Sequence, residues 1–184
     1  MVPKLQLLRA EHAPAVLEFE LANRSYFAAS IPDRGDEYFE KFAQRHEALL
    51  EQQDDGVGAF YLLIDEAGQV LGRFNLVFDE DGAAELGYRV AQRAAGRGVA
   101  TAAVREVCRL AASLHGVRAL RAAAATENPA SQKVLAKAGF LATGPADPAS
   151  LSGQPGTSYL LELDHAGRLG PGQEEYTSHD PRCS

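Results

Sequence analysis

The run Arg93-Ala94-Ala95-Gly96-Arg97-Gly98-Val99-Ala100-Thr101 is where the sequence concentrates its chemistry. Two glycines one residue apart let a backbone turn sharply and approach a ligand with no Cβ in the way. The run lies between a strand-like segment, residues 83–90, and a helical pattern that opens at Val99. A turn at a helix start aims unpaired N–H groups, and the positive end of the helix dipole, at whatever lies above it. That is an anion site, suited first to a phosphate, and Arg93 and Arg97 set two cations beside it. The third glycine of a dinucleotide fingerprint is missing, because position 101 is Thr, and so is the Gly-x-x-x-x-Gly-Lys-Ser/Thr cradle. By itself the run reads equally well as an ordinary strand–turn–helix junction with its arginines in solvent.

The other reactive residue types suggest little. His12, His46, His115, His165 and His179 show no metal-ligand spacing, and His46 falls on an apolar helical stripe as a core or pocket residue. No Ser/His/Asp or Cys/His arrangement is present. Cys108 lies on the apolar face of a helix, where a thiol is a poor nucleophile, and Cys183 is near the C-terminus. Two such cysteines suggest neither a disulfide framework nor a metal set, so the default compartment is a reducing cytoplasm. A chain of 184 residues with 46% hydrophobic content is expected to form one domain, here 1–164, followed by a mobile tail at 165–184 rich in Gly, Pro and charge. Residues 1–10 hold no apolar run suited to a secretory signal, and no stretch approaches a membrane span. The net charge of −7 argues against a nucleic-acid partner and would suit a cationic substrate.

Periodicity supplies the elements that must position the run. Residues 4–9 read as a strand with Leu5 and Leu7 on one face, and 11–22 as a helix with Ala15, Val16, Phe19 and Ala22 at helical spacing. Residues 23–32 are aromatic, irregular and closed by Pro32; 36–53 read as one helix carrying Tyr38, Phe39, Phe42, His46, Leu49 and Leu50. Strands follow at 59–65, 70–79 and 83–90, with turns between them. The helix after the glycines buries Ala100, Ala103, Val104, Val107, Cys108, Ala111 and Leu114, and His115-Gly116 stops it. A strand at 117–125, inner because its alanines leave little side chain to cover, leads to Asn128 as N-cap, Pro129 in the first turn and Gly139 at the C-cap. Strands at 140–143 and 158–164 enclose a loop at 144–157.

Arg-x-x-Gly-x-Gly after a strand ending in Tyr-x-Val resembles the pyrophosphate loop of the GCN5-related N-acetyltransferases (GNAT), which bind acetyl-coenzyme A. The element order β-α-α-β-β-β-α-β-α-β-β is similar to theirs over residues 4–164. A second landmark, Asn128-Pro129-Ala130-Ser131 followed by Val134-Leu135-Ala136-Lys137-Ala138-Gly139-Phe140, resembles the Asn-x-x-Ser…Lys-x-Gly-Phe segment of the RimJ/RimL-like ribosomal-protein N-terminal acetyltransferases. Asn23-Arg24 with a following aromatic and Pro32 also looks like that branch. The resemblance implies an α/β (α+β) fold: a mixed central sheet of six to seven strands, splayed between the fourth and fifth, flanked by about four helices.

It further implies roles. The pyrophosphate would rest on backbone amides of Ala95, Gly96, Arg97, Gly98, Val99 and Ala100, helped by Arg93, Arg97 and the Thr101 hydroxyl. Ala95 stands where many relatives carry a bulkier or basic residue, so one cofactor contact is lost. The pantetheine would pair with the strand near Tyr88 and Val90 through backbone groups, their side chains packing in the core, and with Asn128, which can also be a plain N-cap. Ser131 would donate to the departing thiolate. For the base there are two carboxylates: Glu85, beside the space left by Gly87, is preferred, and Glu162 is the rival. An α-amine, with pKa about 8, needs little help to lose its proton. Asn23, Tyr26 and Phe27 would meet the acceptor, whose choice lies in residues 23–37 and 144–156. The expected activity is acetyl transfer in a ternary complex to a protein N-terminal amine, a ribosomal protein for this branch, with no metal and no direct nucleic-acid or membrane partner. The alternatives are a small amine (polyamine, amino-acid derivative or aminoglycoside) as acceptor, or a non-catalytic acyl-coenzyme A sensor. Monomer and homodimer both stay open.

Overall fold

Seven strands, β1 (Lys4–Leu7), β2 (Gly58–Ile64), β3 (Val70–Phe78), β4 (Ala83–Val90), β5 (Ala119–Ala125), β6 (Leu141–Pro145) and β7 (Gly156–Glu162), form one sheet in the order β1-β2-β3-β4-β5-β7-β6. The computed structural model describes residues 3–163; the tail expected at 165–184, with Cys183, His165 and His179, lies outside the described residues. Every neighbouring pair is antiparallel except β4 and β5. That parallel pair is short, running from Ala83↔Ala119 to Glu85↔Arg121. Meanwhile β4 stays on β3 up to Gly72↔Val90, and β5 stays on β7 up to Ala125↔Gly156. The two halves of the sheet are each held on their outer sides, so β4 and β5 part beyond Glu85. This is the splayed mixed sheet that the resemblance implies.

Helices cover both faces. On one, α5 (Val99–His115) and α6 (Pro129–Ala138) bury Val104, Val107, Cys108, Ala111 and Leu135 against Phe74, Leu76, Leu86 and Leu120. On the other, α1 (Ala13–Ala22) and α4 (Phe42–Asp54) bury Val16, Phe19 and Phe42 against Phe60, Leu62 and Ile64. β2 therefore faces a core on each side, which is why all seven of its residues are apolar or small and buried. Leu114, expected in the core, is 68% exposed, because the helix overruns the sheet before Gly116 (φ +65°) ends it. Leu7 is likewise exposed, and Leu8, one residue beyond β1, takes its place in the core.

Two helical segments differ from the periodicity. Residues expected to be irregular form a short helix, α2 (Arg24–Ala28), and the helix expected at 36–53 is two, α3 (Asp36–Glu40) and α4, separated at Lys41. The break splits the aromatic stripe between two tasks: Phe39 stacks under Arg24 while Tyr38 turns its hydroxyl to Arg73. The buried stripe of α1 is Val16, Phe19, Glu20 and then Asn23 at its C-cap, rather than Ala15, Val16, Phe19 and Ala22. Two of the four buried positions are polar, and both matter below.

Leu120 is fully buried at the point where β4 and β5 still pair. Leu120→Ala should lower stability by about 2–5 kcal/mol, read as a shift in urea midpoint at unchanged m-value.

Candidate active site

The glycine run lies at the open end of the splay. After β4 a 3-10 turn, Gln92–Ala94, brings the chain to Gly96 (φ +73°) and Gly98 (φ +75°), both in the left-handed region that disfavours any side chain. An added Cβ at either would meet nothing within 4 Å among the described residues, so their backbone is bare on that side. Gly98 is the N-cap of α5 and its carbonyl accepts from Ala102 N–H at 3.0 Å, but no side chain caps the helix. The first N–H groups of a 17-residue helix are thus presented to a ligand. Arg97 is exposed beside them. Arg93 points elsewhere, its guanidinium 3.3 Å from the Asp65 carboxylate in the β2–β3 turn.

Beneath the loop a cleft of about 130 Å³ enters the splay, with Val90 and Tyr88 on the β4 side and Asn128 and Ser131 on the α6 side. Asn128 Oδ1 accepts from Ser131 N–H at 3.1 Å, so it is the N-cap, and Pro129 and Gly139 (φ +101°) bound the helix where the sequence marks them. The Tyr88 ring stacks on Phe74, with centroids 5.9 Å apart, and its hydroxyl crosses the gap to Ser131, 2.9 Å from Oγ and donating to the backbone oxygen at 3.3 Å. Burial pushes the Tyr88 phenol up to about 12, an effect the Ser131 hydrogen bond reduces and the neighbouring Tyr159 reinforces. The phenol therefore keeps its proton through the physiological range and is a donor there. Glycine loop, unpaired strand edge and hydroxyl pair share one cleft.

The family model of the acetyltransferase (GNAT) domain matches residues 4–141. The chain belongs to this family. No curated protein matches the sequence. Among solved structures, the acetyltransferase resembles the ribosomal-protein-S5-alanine acetyltransferase of Vibrio fischeri, with TM-score 0.79 and 20% identity over 88% of this chain and 93% of that one. It resembles a ribosomal L7/L12 α-N-protein acetyltransferase (RimL) in complex with coenzyme A equally well, at 0.79 and 19% identity over 90% and 96%. RimJ of Mycobacterium smegmatis, in complex with a coenzyme A disulfide, gives 0.77 and 20% identity over 90% and 84%.

The acetyltransferase brings some expected residues together and leaves others apart. Tyr26, Phe27, Tyr88, Val90, Ala95 and Gly96 line the cleft, as do Ala100, Asn128 and Ser131. Val99 instead faces a larger, mainly apolar cavity of about 530 Å³ between β1 and α5, and Thr101 lines neither. Asn23 does not reach the cleft: its amide donates to Phe19 O at 2.8 Å and accepts from Gln92 N–H at 3.0 Å, fastening α1 to the approach of the glycine loop. Glu162 pairs with Ala119 at the closed end of the splay, remote from the cleft. Glu85 sits at the apex, opposite Arg121, on the sheet face that carries Gly87 and Arg89. Burial, then the nearby Asp79, raises its carboxyl above the usual range, and Arg121 opposes this. Among the described residues no group of three His, Cys, Asp or Glu could hold a metal ion.

On that face lies a second cavity, about 160 Å³, lined by Glu20, Arg34, Arg73, Asn75, Gly87, Tyr88 and Arg89. It shares Tyr88 and Arg89 with the cleft. Glu20 is 2% exposed and meets Arg73 at 2.5 Å and Arg89 at 3.4 Å; Arg73 also donates to the Tyr38 hydroxyl at 3.2 Å. The periodicity concealed this group, because Glu20 reads as the polar side of a helix and Arg73 and Arg89 as the solvent side of strands. The one available signal was Glu20 lying four residues after Val16 on the buried stripe.

Arg73→Ala leaves Glu20 buried with only its longer ion pair and should cost about 3–5 kcal/mol. Glu20→Gln combined with Arg73→Met should cost clearly less than Arg73→Ala alone, by urea denaturation, because no charge is then stranded.

Proposed function

We propose that this acetyltransferase moves the acetyl group of acetyl-coenzyme A to the α-amine of a protein N-terminus, by direct attack in a ternary complex. The observation that carries the reading is the Tyr88–Ser131 hydroxyl pair, set where the cleft under the glycine loop meets the second cavity. Acetyl-coenzyme A supplies an acetyl group activated as a thioester. The chain fits such a group: the bare backbone at Gly96 and Gly98 and the uncapped start of α5 suit its pyrophosphate, with Arg97 adding charge. Arg93 and Thr101 contribute less than the resemblance implies, since one is paired with Asp65 and the other lies outside the cleft. Among the described residues no strand covers the edge of β4 beyond Glu85, which leaves backbone groups near Tyr88 and Val90 for the pantetheine amides.

Ser131 would pass its hydroxyl proton to the leaving sulfur as Tyr88 passes its own to Ser131, and the phenol, with its pKa pushed up to about 12, would recover a proton from solvent at once. Glu85 lines neither the cleft nor the second cavity, so it would draw the amine proton only through water; Glu20, the one carboxylate lining the second cavity, is held by guanidinium groups at both oxygens. Tyr26 and Phe27, expected to meet the acceptor, form an apolar wall of the cleft under the glycine loop and do not line the second cavity. A ribosomal protein in the cytoplasm is the partner that the RimL and RimJ likeness favours, and the chain needs no nucleic acid or membrane for the reaction. The size of the second cavity favours one other reading, a small amine as acceptor.

The test is thiol release from acetyl-coenzyme A with short peptides bearing a free or blocked α-amine, beside small amines. Release that requires the free peptide α-amine is expected; release with small amines alone overturns the N-terminal reading. Ser131→Ala and Tyr88→Phe should each lower kcat about 10- to 100-fold with coenzyme A affinity within twofold, the range of a lost general acid. Gly98→Ala should instead weaken coenzyme A binding about tenfold, since the left-handed conformation costs an alanine about 1–2 kcal/mol. For the base, kcat/KM should rise with pH through the raised Glu85 pKa, because only the ionised carboxylate accepts a proton. That lower limb should vanish in Glu85→Gln, leaving only the limb of the acceptor amine near pH 8. A limb unchanged in Glu85→Gln removes Glu85 from the mechanism.

A further inference from the structure

The second cavity differs in sign from the molecule around it. Overall the chain carries −7, yet the cavity sets three guanidinium groups, Arg34, Arg73 and Arg89, against one carboxylate, Glu20. Glu20 is spent on Arg73 and Arg89. The acids next to Arg34 are also engaged, since Asp33 and Asp36 both pair with Arg24, at 2.6 and 2.7 Å. Among the described residues no carboxylate pairs with Arg34, whose guanidinium stacks over the Tyr38 ring at 4.4 Å. Arg89 stacks over Phe27 at 5.2 Å. Stacking leaves the N–H edges of a guanidinium open to a planar anion, all of them at Arg34 and those other than the Nη1 that reaches Glu20 at 3.4 Å at Arg89. Arg89 also feels the excess: burial, and then Arg34 and Arg73, pull its pKa down, while Glu20 and Tyr38 oppose. Gly87 leaves room for a ligand, since an added Cβ there would meet nothing within 4 Å.

We propose that the second cavity selects an acceptor whose primary amine lies a few bonds from an anionic group, a carboxylate or a phosphate, which seats on Arg34 and Arg89. The inference rests on the reading of the adjoining cleft as the site of acetyl transfer. With the anion among the arginines, the amine points past the shared residues Tyr88 and Arg89 into that cleft. For a peptide, this means an acidic residue at or next to the N-terminus; a polyamine, by contrast, would bring charge of the wrong sign into a cavity already positive. The acidic composition of the chain, which by itself suits a cationic substrate, says nothing of this local field.

The test uses two matched series. One is the C-terminally amidated peptides Ala-Asp-Gly-Gly, Ala-Asn-Gly-Gly and Ala-Lys-Gly-Gly; the other is β-alanine, O-phosphoethanolamine and propylamine. Each is titrated by calorimetry into protein saturated with coenzyme A, and assayed separately for thiol release. The acidic member should bind at least tenfold more tightly than its neutral partner, and the β-alanine and O-phosphoethanolamine arms tell carboxylate from phosphate. Arg34→Gln, at an exposed position outside any ion pair, should cut that preference several-fold, and Arg34→Glu should turn it toward the basic peptide. Gly87→Val, which fills the empty space, should abolish binding of the acidic probes while coenzyme A affinity stays within twofold. Equal affinity across a series, preference for the neutral or basic member, no binding of any acidic probe, or a preference untouched by both Arg34→Glu and Gly87→Val overturns the proposal. An acidic preference in binding without thiol release would uphold the cavity's selectivity and count against the transfer reading alone.

Discussion

Everything in the site depends on β4 and β5 ceasing to pair after Glu85 and Arg121. A buried backbone edge without hydrogen-bond partners is costly, and most folds avoid one. Here the cost is contained because each strand is held along its other side, β4 by β3 and β5 by β7, so the edges can diverge without fraying. The opening is a built-in vacancy in the ladder, one that an extended amide-bearing ligand can fill as a strand would. The two helices whose N-termini border it, α5 and α6, are locked onto the same core face by Val104, Val107 and Leu135, which fixes the width of the opening.

The parts that sequence could reveal are those written in local chemistry. The bounds of β4, the start of α5 at Val99 and the limits of α6 follow from alternation, from the left-handed glycines and from Asn128-Pro129 and Gly139. Each is a short-range rule, so each is readable in a window of a few residues. The tyrosine–serine contact and the Glu20–Arg73 pair are not, because their partners lie 43 and 53 residues apart and meet only when the sheet forms. The role of Tyr88 is instructive. It packs on Phe74, as its place in a core-facing strand implies, and yet its hydroxyl reaches the cleft, so one side chain both fills the core and lines the cleft.

The second cavity shows why polar residues in buried stripes repay attention. Glu20 and Asn23 occupy the inward side of α1 and its C-cap, where Val16 and Phe19 set the pattern. Neither contributes hydrophobic stabilisation there. Asn23 clasps the chain at Gln92 and Glu20 gathers two arginines, so α1 acts as a brace for both the glycine loop and the second cavity. Buried ion pairs seldom add net stability over apolar packing of the same shape. Their presence here is better understood as positioning guanidinium groups that would otherwise sweep freely in solvent.

Arg89 borders both cavities, on the wall where the two ligands of a bisubstrate reaction would come closest. With both ligands held in one complex, a substitution at Arg89, or at Tyr88, the other shared residue, would touch both walls at once. Separability therefore resides in residues that line one of these two spaces and not the other. Arg34 lines the second cavity and not the cleft, and Ala95 the cleft and not the second cavity, so a substitution at either bears on one of the two spaces at a time.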